Sequence, residues 1–324
     1  MGGFYESLLA KGKTMKPKVN IIIVTYRRLS WLRHLLYRLN LLQFRQITPD
    51  IVVIVVDNDP QESAREVCQD RALRYKITYY SEKRKGVSHA RNAGLLRIRP
   101  DANFVVFIDD DEFPSPQWLE ELLIIQERTG ADIVTGPVIP IFVEKAPDWI
   151  VRGKFMERPR HPDGSNINYA RTGNVLMKRE VCQKVGLFNE ELSLRGGEDT
   201  EYFERALKHG FRIFWADRAE VYEWVPPERA NLFWILQRAY RTGQTLSYLK
   251  AKKGTQKLVI GFEGLARIGI GSLMFLLTLP WLAARRTEVP VKWLRICVRG
   301  LGLLTAMLGI WYHEYGSGRV RNYV

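Results

Sequence analysis

The sequence predicts an α/β fold in which buried strands alternate with helices. Three mainly apolar runs rich in β-branched residues cover residues 19–25, 51–56 and 104–108, and each is followed by polar side chains. Such runs indicate strands buried on both faces of a sheet, and the stretches between them carry helix signals. The 324 residues, 46% of them hydrophobic, suffice for one large core or two domains.

The first strand, residues 19–25, is followed by Tyr26 and Arg27 at its carboxyl end. We expect Ser30 to cap a helix that runs to about residue 43. No glycine-rich turn follows this strand, which excludes both the dinucleotide-binding fingerprint and the phosphate-binding P-loop. A nucleotide bound here would therefore need side chains rather than a glycine cradle.

The second strand, residues 51–56, delivers Asp57 to the same edge of the sheet. A carboxylate at a strand end can accept hydrogen bonds from a ribose or from a base N–H. Asp57 can equally form a turn before Pro60, so both interpretations stay open. A helix at residues 63–71 and a short strand at residues 77–80 are expected to follow.

Next, Ser88 is expected to cap a helix over residues 89–97. The cations around the start of this helix are Lys83, Lys85 and Arg91. Backbone N–H groups and the helix dipole favour phosphate at such a terminus, and nearby cations strengthen that preference.

The third strand ends in an acidic turn within residues 104–113, which read FVVFIDDDEF. In extended backbone Asp109 and Asp111 point to the same side, at the sheet edge where ligands of open α/β folds bind. Two such carboxylates suit a divalent cation, because Mg²⁺ takes one or two carboxylates and completes its shell with water and substrate phosphates. The alternative is that the acids only end the strand and cap a helix over residues 116–128.

After a strand at residues 132–138, residues 140–171 show no clear periodicity, and a loop of this length predicts a functional flap over the site. Order resumes over residues 171–178. There Gly173 and Asn174 are expected to form a turn that allows close approach before the next strand.

A flexible glycine pair, Gly196 and Gly197, precedes Glu198 and Asp199 at the start of a helix that ends at Gly210. Acids in a first helical turn interact favourably with the helix dipole, which is a purely structural explanation. The glycine pair favours the alternative, in which the Asp199 carboxylate approaches a substrate closely.

Two short strands at residues 213–216 and 220–224 precede a helix over residues 231–250. Arg238 and Arg241 lie on adjacent faces of that helix. The planar fork of arginine binds phosphate well, so these two side chains are candidate phosphate ligands, with surface positions as the alternative.

The basic charge is concentrated in the tail, since residues 251–324 hold +8 of the formal net charge of +14. Residues 268–284 and 300–312 are uncharged runs, the first at the lower limit for crossing a bilayer of ~30 Å and the second too short. We therefore expect amphipathic helices lying in the interface of an anionic membrane, and no nucleic-acid partner. One alternative is that these segments span or re-enter the membrane, and another is a buried helical subdomain or the interface of a homo-oligomer.

Six motifs occur in a fixed order within residues 18–245. They are Thr25-Tyr26-Arg27, Asp57, the segment from Gly86 to Gly94 (GVSHARNAG), Asp109-Asp110-Asp111, Thr172-Gly173-Asn174 and Gly197-Glu198-Asp199. In this order and spacing the chain resembles the family 2 glycosyltransferases, particularly bacterial enzymes that build exopolysaccharides on lipid carriers. The Gln-x-x-Arg-Trp element of processive synthases is absent from the sequence, which favours a single-addition enzyme over a polymerase.

The resemblance implies a GT-A fold, a Rossmann-like mixed sheet flanked by helices, and inverting transfer from a nucleotide diphosphate sugar, with uridine favoured. It implies that Asp199, with Glu198 beside it, is the catalytic base. Asp109 and Asp111 become the Asp-x-Asp pair that binds a divalent metal, Mg²⁺ or Mn²⁺. The residues expected to bind the nucleotide sugar are Thr25, Tyr26, Arg27, Asp57, Arg91, Asp109, Asp110, Asn174, Arg238 and Arg241.

We thus expect a loose leader at residues 1–17, a GT-A catalytic domain at residues 18–250 and a membrane-associating helical region at residues 251–324. Such an enzyme would act at the cytoplasmic face of a bacterial inner membrane on a lipid-linked saccharide acceptor. Two other functions stay open. One is a nucleotidyltransferase, although its glycine-rich loop is missing, and the other is a basic membrane- or nucleic-acid-binding protein without catalysis. The cysteines, Cys68, Cys182 and Cys297, lack disulfide or metal-ligand spacing, which fits a reducing compartment.

Overall fold

The computed structural model describes residues 16–70 and 72–313. The strands are β1 Lys18–Thr25, β2 Asp50–Asp57, β3 Lys76–Ser81, β4 Phe104–Phe107, β5 Glu112–Pro114, β6 Ile133–Thr135, β7 Val138–Phe142, β8 Asn166–Ile167, β9 Val175–Lys178, β10 Ile213–Trp215 and β11 Val221–Val225. The α-helices are α1 Leu29–Asn40, α2 Val87–Leu95, α3 Trp118–Thr129, α4 Asp148–Arg152, α5 Arg179–Val185, α6 Glu198–Lys208, α7 Leu232–Lys252, α8 Lys257–Thr278 and α9 Glu288–Met307. The leader predicted for residues 1–17 lies almost wholly outside the described residues.

The strands form two sheets within the described part of the chain. The larger has the order β3-β2-β1-β4-β9-β6-β10-β8, and the smaller has the order β5-β11-β7. Neighbouring strands from β3 to β4 are parallel, whereas β9 runs antiparallel to both β4 and β6. This mixed sheet with helices packed on it confirms the predicted α/β, GT-A-type architecture.

Each face of the larger sheet is covered by its own hydrophobic cluster. One cluster joins the sheet to α1 and α3, and includes the fully buried Trp118. The other joins it to α2, α5 and α6, and includes Tyr202 and Phe203. Burial on both faces explains why the central strands are continuous apolar runs in the sequence. In β1 and β2, Thr25 pairs with Asp57, so the two strands end at the same edge.

The predicted helix at residues 63–71 is wrong. Residues 59–66 form successive turns with hydrogen bonds between residues three apart, and only Val67–Gln69 is a short 3₁₀ helix. The buried Asp57 carboxylate accepts the backbone N–H of Ala64 at 2.8 Å. This hydrogen bond draws the segment back onto the strand end.

The acidic stretch is a turn, which corrects the expectation of extended backbone through Asp111. Strand β4 ends at Phe107, and the N–H of Glu112 donates to the carbonyl oxygen of Asp109 at 3.1 Å. The side chains of Asp109 and Asp111 consequently meet different partners.

Three smaller expectations also fail. Ser30 and Ser88 do not cap their helices, because α1 begins one residue before Ser30 and α2 one residue before Ser88, and no side-chain cap is made at either start. The predicted strand at residues 132–138 is divided between the two sheets. Pro137, which lacks a backbone N–H, stands between the two pieces.

The tail forms α8 and α9, which begin well before the uncharged runs at residues 268–284 and 300–312. Close backbone contacts join Gly264 to Gly300 and Gly271 to Cys297, so α8 and α9 form an antiparallel hairpin. Helix α9 also packs on α7, which belongs to the predicted catalytic domain. The domain boundary at residue 250 stays a prediction.

Candidate active site

Arg91 connects two of the sequence motifs in space. It lies on α2 with its side chain only 7% exposed, and Nη2 donates to Asp109 Oδ1 at 3.2 Å. Its Nη1 donates to Glu198 Oε1 at the start of α6. The Arg91 guanidinium group therefore joins the end of β4 to the start of α6. Arg91 and Glu198 are 107 residues apart in the sequence.

Asp110 points away from this meeting point. Its carboxylate accepts hydrogen bonds from Thr25 Oγ1 at 2.8 Å and from Arg28 Nη1 at 2.8 Å. Burial raises the pKa of Asp110 to about 6, even though Arg28 opposes that rise. Asp110 thus ties the acidic turn to the end of β1.

Asp111 is held by two arginines. Its Oδ2 lies 3.1 Å from Arg28 Nη1 and 2.9 Å from Arg229 Nη2. Burial acts to raise the pKa of Asp111, but Arg28 and Arg229 outweigh burial and the pKa is lowered. Asp111 is therefore an anion at neutral pH.

A divalent metal fits the chemistry of Asp109 and Asp111 only in part. Among residues 16–70 and 72–313, no group of three or more His, Cys, Asp or Glu side chains is placed to hold a metal ion. Two carboxylates nevertheless match the protein ligands that Mg²⁺ or Mn²⁺ needs when a substrate diphosphate supplies further oxygens. Asp109, whose side chain is 40% exposed, is the more accessible of the two.

The Glu112 side chain stabilises the acidic turn that follows β4. Its Oε2 accepts the N–H of Asp109 at 3.1 Å, and its Oε1 lies 3.9 Å from Arg158 Nη1. Burial and the neighbouring Asp109 raise the pKa of Glu112 well above its usual range. A Cβ at Gly173 would overlap the Glu112 carboxylate, which explains why a glycine occupies this position.

At the end of β2, Asp57 is fully buried and organises the following loop. Its oxygens accept hydrogen bonds from Asp59 N, Ala64 N and Tyr79 Oη. Arg27 forms a bidentate ion pair with Asp59, with both N–O distances at 3.1 Å. The predicted turn-forming role of Asp57 is thus present in the structure, and its contact with a base stays a prediction.

Asn174 is 1% exposed and its amide is used inside the protein. Its Nδ2 donates to the carbonyl oxygens of Pro137 and Ala219, and its Oδ1 accepts from Trp118 Nε1. These hydrogen bonds hold the turn in place, and direct contact of Asn174 with a nucleotide sugar stays a prediction.

Asp199 differs from its neighbour Glu198. It is half-buried, and Oδ1 accepts a 2.6 Å hydrogen bond from the N–H of Thr200. Gly197 immediately before α6 has φ +88°, a conformation that favours glycine. Burial raises the pKa of the fully enclosed Glu198, with Arg91 opposing and Asp199 adding to the rise.

The structure adds residues that sequence reasoning did not assign to the site. Besides Arg28 and Arg229, these are Arg158, Arg171 and Glu223. Arg28 stands next to an assigned motif, whereas Arg158 lies in the long segment expected to be a flap and had no local signal. Of the predicted cations, Lys83 and Lys85 are exposed, and Arg238 and Arg241 are half-buried on α7.

Comparison with known proteins decides the family. A model described as glycosyl transferase family 2 matches residues 20–186, which is more than half of the chain. The chain is also 33% identical over 275 residues to the succinoglycan biosynthesis protein ExoM of Rhizobium meliloti (strain 1021), covering 83% of the chain and 86% of that protein. This chain belongs to glycosyl transferase family 2.

A further relative, a second family model and one solved structure are also similar to this chain. A glucosyl-dolichyl phosphate glucuronosyltransferase of Haloferax volcanii is 26% identical over 212 residues, and the match spans 59% of the chain and 64% of that protein. The N-terminal domain of galactosyltransferase matches residues 162–225. A crystal structure of S. aureus TarS in complex with UDP superposes with a TM-score of 0.51 over 94% of the chain and 98% of that structure, at 16% identity, and shows the same fold.

Proposed function

We propose that this family 2 enzyme is an inverting glycosyltransferase of exopolysaccharide or cell-surface glycan synthesis. It moves a sugar from a nucleotide diphosphate sugar, with UDP favoured, to a hydroxyl of a lipid-linked saccharide. The names of two relatives support this proposal, since one belongs to succinoglycan biosynthesis and the other is a glucuronosyltransferase named for a glucosyl-dolichyl phosphate. UDP in the TarS structure supports the choice of nucleotide.

The observation that carries the proposal is the shared contact of Asp109 and Glu198 with Arg91. It brings the acidic turn, proposed for the donor, beside Asp199, proposed for the acceptor. Transfer with inversion needs both substrates at one point, with the acceptor hydroxyl opposite the leaving group.

In the proposed mechanism, Asp199 removes the proton of the acceptor hydroxyl as the oxygen attacks the anomeric carbon. A positioned base of this kind contributes about 10²- to 10⁴-fold to the rate. Glu198 is held by Arg91 and fixes the start of α6. One base is sufficient for inversion, because the glycosyl group passes directly to the acceptor oxygen.

The donor side is proposed to be formed by Thr25, Tyr26, Arg27, Asp57, Arg91, Asp109, Asp110 and Arg241, with Asn174 holding its turn. Asp109 and Asp111 would hold Mg²⁺ or Mn²⁺ together with the diphosphate. The metal, when bound, neutralises negative charge on the departing nucleoside diphosphate. Arginine is suited to bind the same phosphates because of its planar fork.

We further propose that α8 associates with the cytoplasmic surface of an anionic membrane. The segment Lys257–Leu282 is long and apolar enough to cross a bilayer, but only 11% of its most apolar 18-residue stretch is buried. Phe262 is 77% exposed and Leu273 is 57% exposed. Exposed Lys257 and Arg285 stand at the two ends of this apolar face, which suits a helix lying among anionic headgroups.

Calorimetric titration of the detergent-solubilised full chain with UDP, with and without Mn²⁺, tests the donor site. We expect metal-dependent binding that Asp111→Ala abolishes. Asp50→Ala is the matched control, because Asp50 opens β2 at the opposite end of the sheet and should leave binding unchanged. If no nucleoside diphosphate binds the unaltered chain under either condition, the proposed function is wrong.

Family membership favours glycosyl transfer over the nucleotidyltransferase considered from the sequence. Incubation with UDP-sugars distinguishes the two reactions, because the proposed enzyme releases UDP whereas a nucleotidyltransferase releases or consumes diphosphate.

A further inference from the structure

The segment after α9, residues 308–313, folds back onto α7. Gln244 of α7 is 2% exposed, and its amide holds the backbone of this segment at two points. Its Nε2 donates to the carbonyl oxygen of Ile310 at 2.8 Å, and its Oε1 accepts the N–H of Tyr312 at 3.0 Å. These two hydrogen bonds fix the backbone on both sides of Trp311.

The indole ring of Trp311 contacts two side chains that lead toward the start of α6. The guanidinium group of Arg195 lies over the ring, with Cζ 4.4 Å from the ring centroid. The ring of Tyr248 on α7 meets the indole edge-on, with 6.3 Å between the centroids. The Tyr248 hydroxyl accepts from Asn189 Nδ2 at 2.6 Å and donates to Glu191 Oε2 at 2.9 Å. Trp311 is therefore joined to the chain that enters α6 by one direct contact and one contact through Tyr248.

Residues 193–197, the glycine loop, connect that chain to α6. Gly196 and Gly197 have φ +79° and +88°, in the left-handed region that favours glycine. At one end of the loop, Ser193 is 3% exposed, and its carbonyl oxygen accepts a backbone N–H at the start of α2 at 3.1 Å. At the other end, a Cβ on Gly197 would overlap the Thr245 side chain of α7. Both ends of the loop are thus held by packing, and its middle carries the side chain that contacts the indole ring.

The position of Asp199 depends on the conformation of this loop. Two consecutive glycines leave the backbone more freedom than other residues do, so ordering them costs more entropy. A contact with the half-buried Arg195 restricts that freedom, and tryptophan is the aromatic residue that attracts a cation most strongly. Misplacing a catalytic group by about 1 Å can cost about 10²-fold in rate. A looser loop would therefore slow transfer more than it would weaken binding of the nucleotide.

We propose that Trp311 is a positioning residue for glycosyl transfer, which acts through Arg195 to fix the glycine loop and with it the Asp199 carboxylate. The inference rests on the proposed function, in which Asp199 is the base. It gives the segment after α9 a part in the reaction that is separate from membrane attachment, since the indole ring contacts α7 and the glycine loop.

Two measurements on the detergent-solubilised full chain test this role. UDP release is measured with a panel of UDP-hexoses, UDP-hexuronates and UDP-N-acetylhexosamines, with a lipid extract of bacterial membranes as the source of acceptor. Hydrogen–deuterium exchange is measured in peptides that cover residues 193–200. We expect Trp311→Ala to lower kcat about 10- to 100-fold with the donor KM unchanged, and to speed exchange in these peptides. Trp311→Phe keeps a ring face for Arg195 and should restore most of kcat.

Arg195→Gln removes the same contact from the side of the loop and should lower kcat to a similar extent. In the double variant with Trp311→Ala the two effects should not multiply, because both changes remove one interaction. Arg97→Gln is the matched control, since the guanidinium group of Arg97 lies 4.3 Å from the ring centroid of Tyr80, beyond the end of α2. This control should keep the kcat of the unaltered chain.

Unchanged kcat in Trp311→Ala or in Arg195→Gln overturns the positioning role, and so does a lower kcat without faster exchange at residues 193–200. Effects that multiply in the double variant overturn it as well, because Trp311 would then act independently of Arg195. In each of these cases the unaltered chain still releases UDP, so the proposed function stands. If the unaltered chain releases UDP from no member of the panel, the proposed function fails and the positioning role fails with it.

Discussion

Glu198 and Asp199 are consecutive residues with opposite environments. Glu198 is 4% exposed and ion-paired with Arg91, whereas Asp199 is half-buried and accepts its hydrogen bonds from the adjacent Thr200. Since a helix turns by 100° per residue, the first two residues of α6 face different surroundings. The Glu198 carboxylate therefore holds two segments together, whereas the Asp199 carboxylate stays partly accessible to solvent.

This difference predicts that replacing Glu198 reduces stability, whereas replacing Asp199 reduces activity. Glu198→Ala leaves the buried Arg91 without its closer partner, and we expect a loss of about 3–5 kcal/mol in the free energy of unfolding. Asp199→Ala should change that free energy by less than about 1 kcal/mol and reduce transfer by about 10²- to 10⁴-fold. Urea denaturation and a UDP-release assay measure the two effects. Full activity of Asp199→Ala would contradict its role as the base.

Glu112 predicts a specific pH dependence of stability. Burial and Asp109 raise the pKa of Glu112 in the folded state, so the neutral carboxyl stabilises the protein fully below the usual Glu pKa of 4.5. That stabilisation decreases as pH rises from there toward the folded-state pKa, by at most about 1.4 kcal/mol per pH unit.

Glu112→Gln keeps an oxygen for the Asp109 N–H and removes the ionisation. We therefore expect the melting temperature of this variant, relative to the unaltered protein, to rise as pH increases from about 4.5 to 8. The exposed Glu127→Gln is the control for loss of one carboxyl group. A constant difference across this pH range would show that Glu112 is ionised in the folded protein.

Because the backbones of α7 and α9 are in contact, we expect that adding one methyl group between them lowers stability. A Cβ at Gly302 would overlap the carbonyl oxygen of Tyr240, whereas a Cβ at Gly269 of α8 meets nothing within 4 Å. Gly302→Ala should lower the free energy of unfolding by about 1–3 kcal/mol through overpacking. Gly269→Ala should be neutral or raise it by up to about 1 kcal/mol, since alanine favours helix. Equal effects would mean that α7 and α9 are not packed this closely.

The exposed face of α8 predicts membrane binding that aspartate disrupts. The double variant Phe262→Asp with Leu273→Asp should lose flotation with vesicles that contain phosphatidylglycerol, because each change places a charge where acyl chains would lie. Leu96→Asp is the control, since Leu96 is 69% exposed but lies near the end of α2.

High-salt washing and protease digestion distinguish an interfacial helix from a membrane-spanning one. Partial release by high salt supports an interfacial helix, whereas salt-resistant binding with protease cleavage on the far side supports a spanning one. Unchanged flotation of the double variant would contradict the assignment of this face. A change in oligomeric state without a change in flotation would assign the face to a second copy of the chain.

The sequence by itself determined the central strands β1 to β4, their order of appearance and the edge at which their polar residues meet, but not the short strands β5 and β8. Buried parallel strands are continuous apolar runs, and Thr25, Asp57 and Asp109 follow those runs directly, so local pattern was sufficient. The same reasoning failed at residues 63–71 and 109–112. In those segments a buried carboxylate, that of Asp57 or Glu112, takes backbone N–H groups and replaces regular structure.

Only the tertiary structure decided which charges meet. Arg91 joins Asp109 to Glu198, Arg28 and Arg229 share Asp111, and Arg158 pairs with Glu223 from a segment without periodic pattern. Ion pairs between distant segments depend on distance and burial, which no local spacing encodes. The local pattern of the sequence thus specified where a site would form, and long-range packing specified which side chains are held and which are exposed.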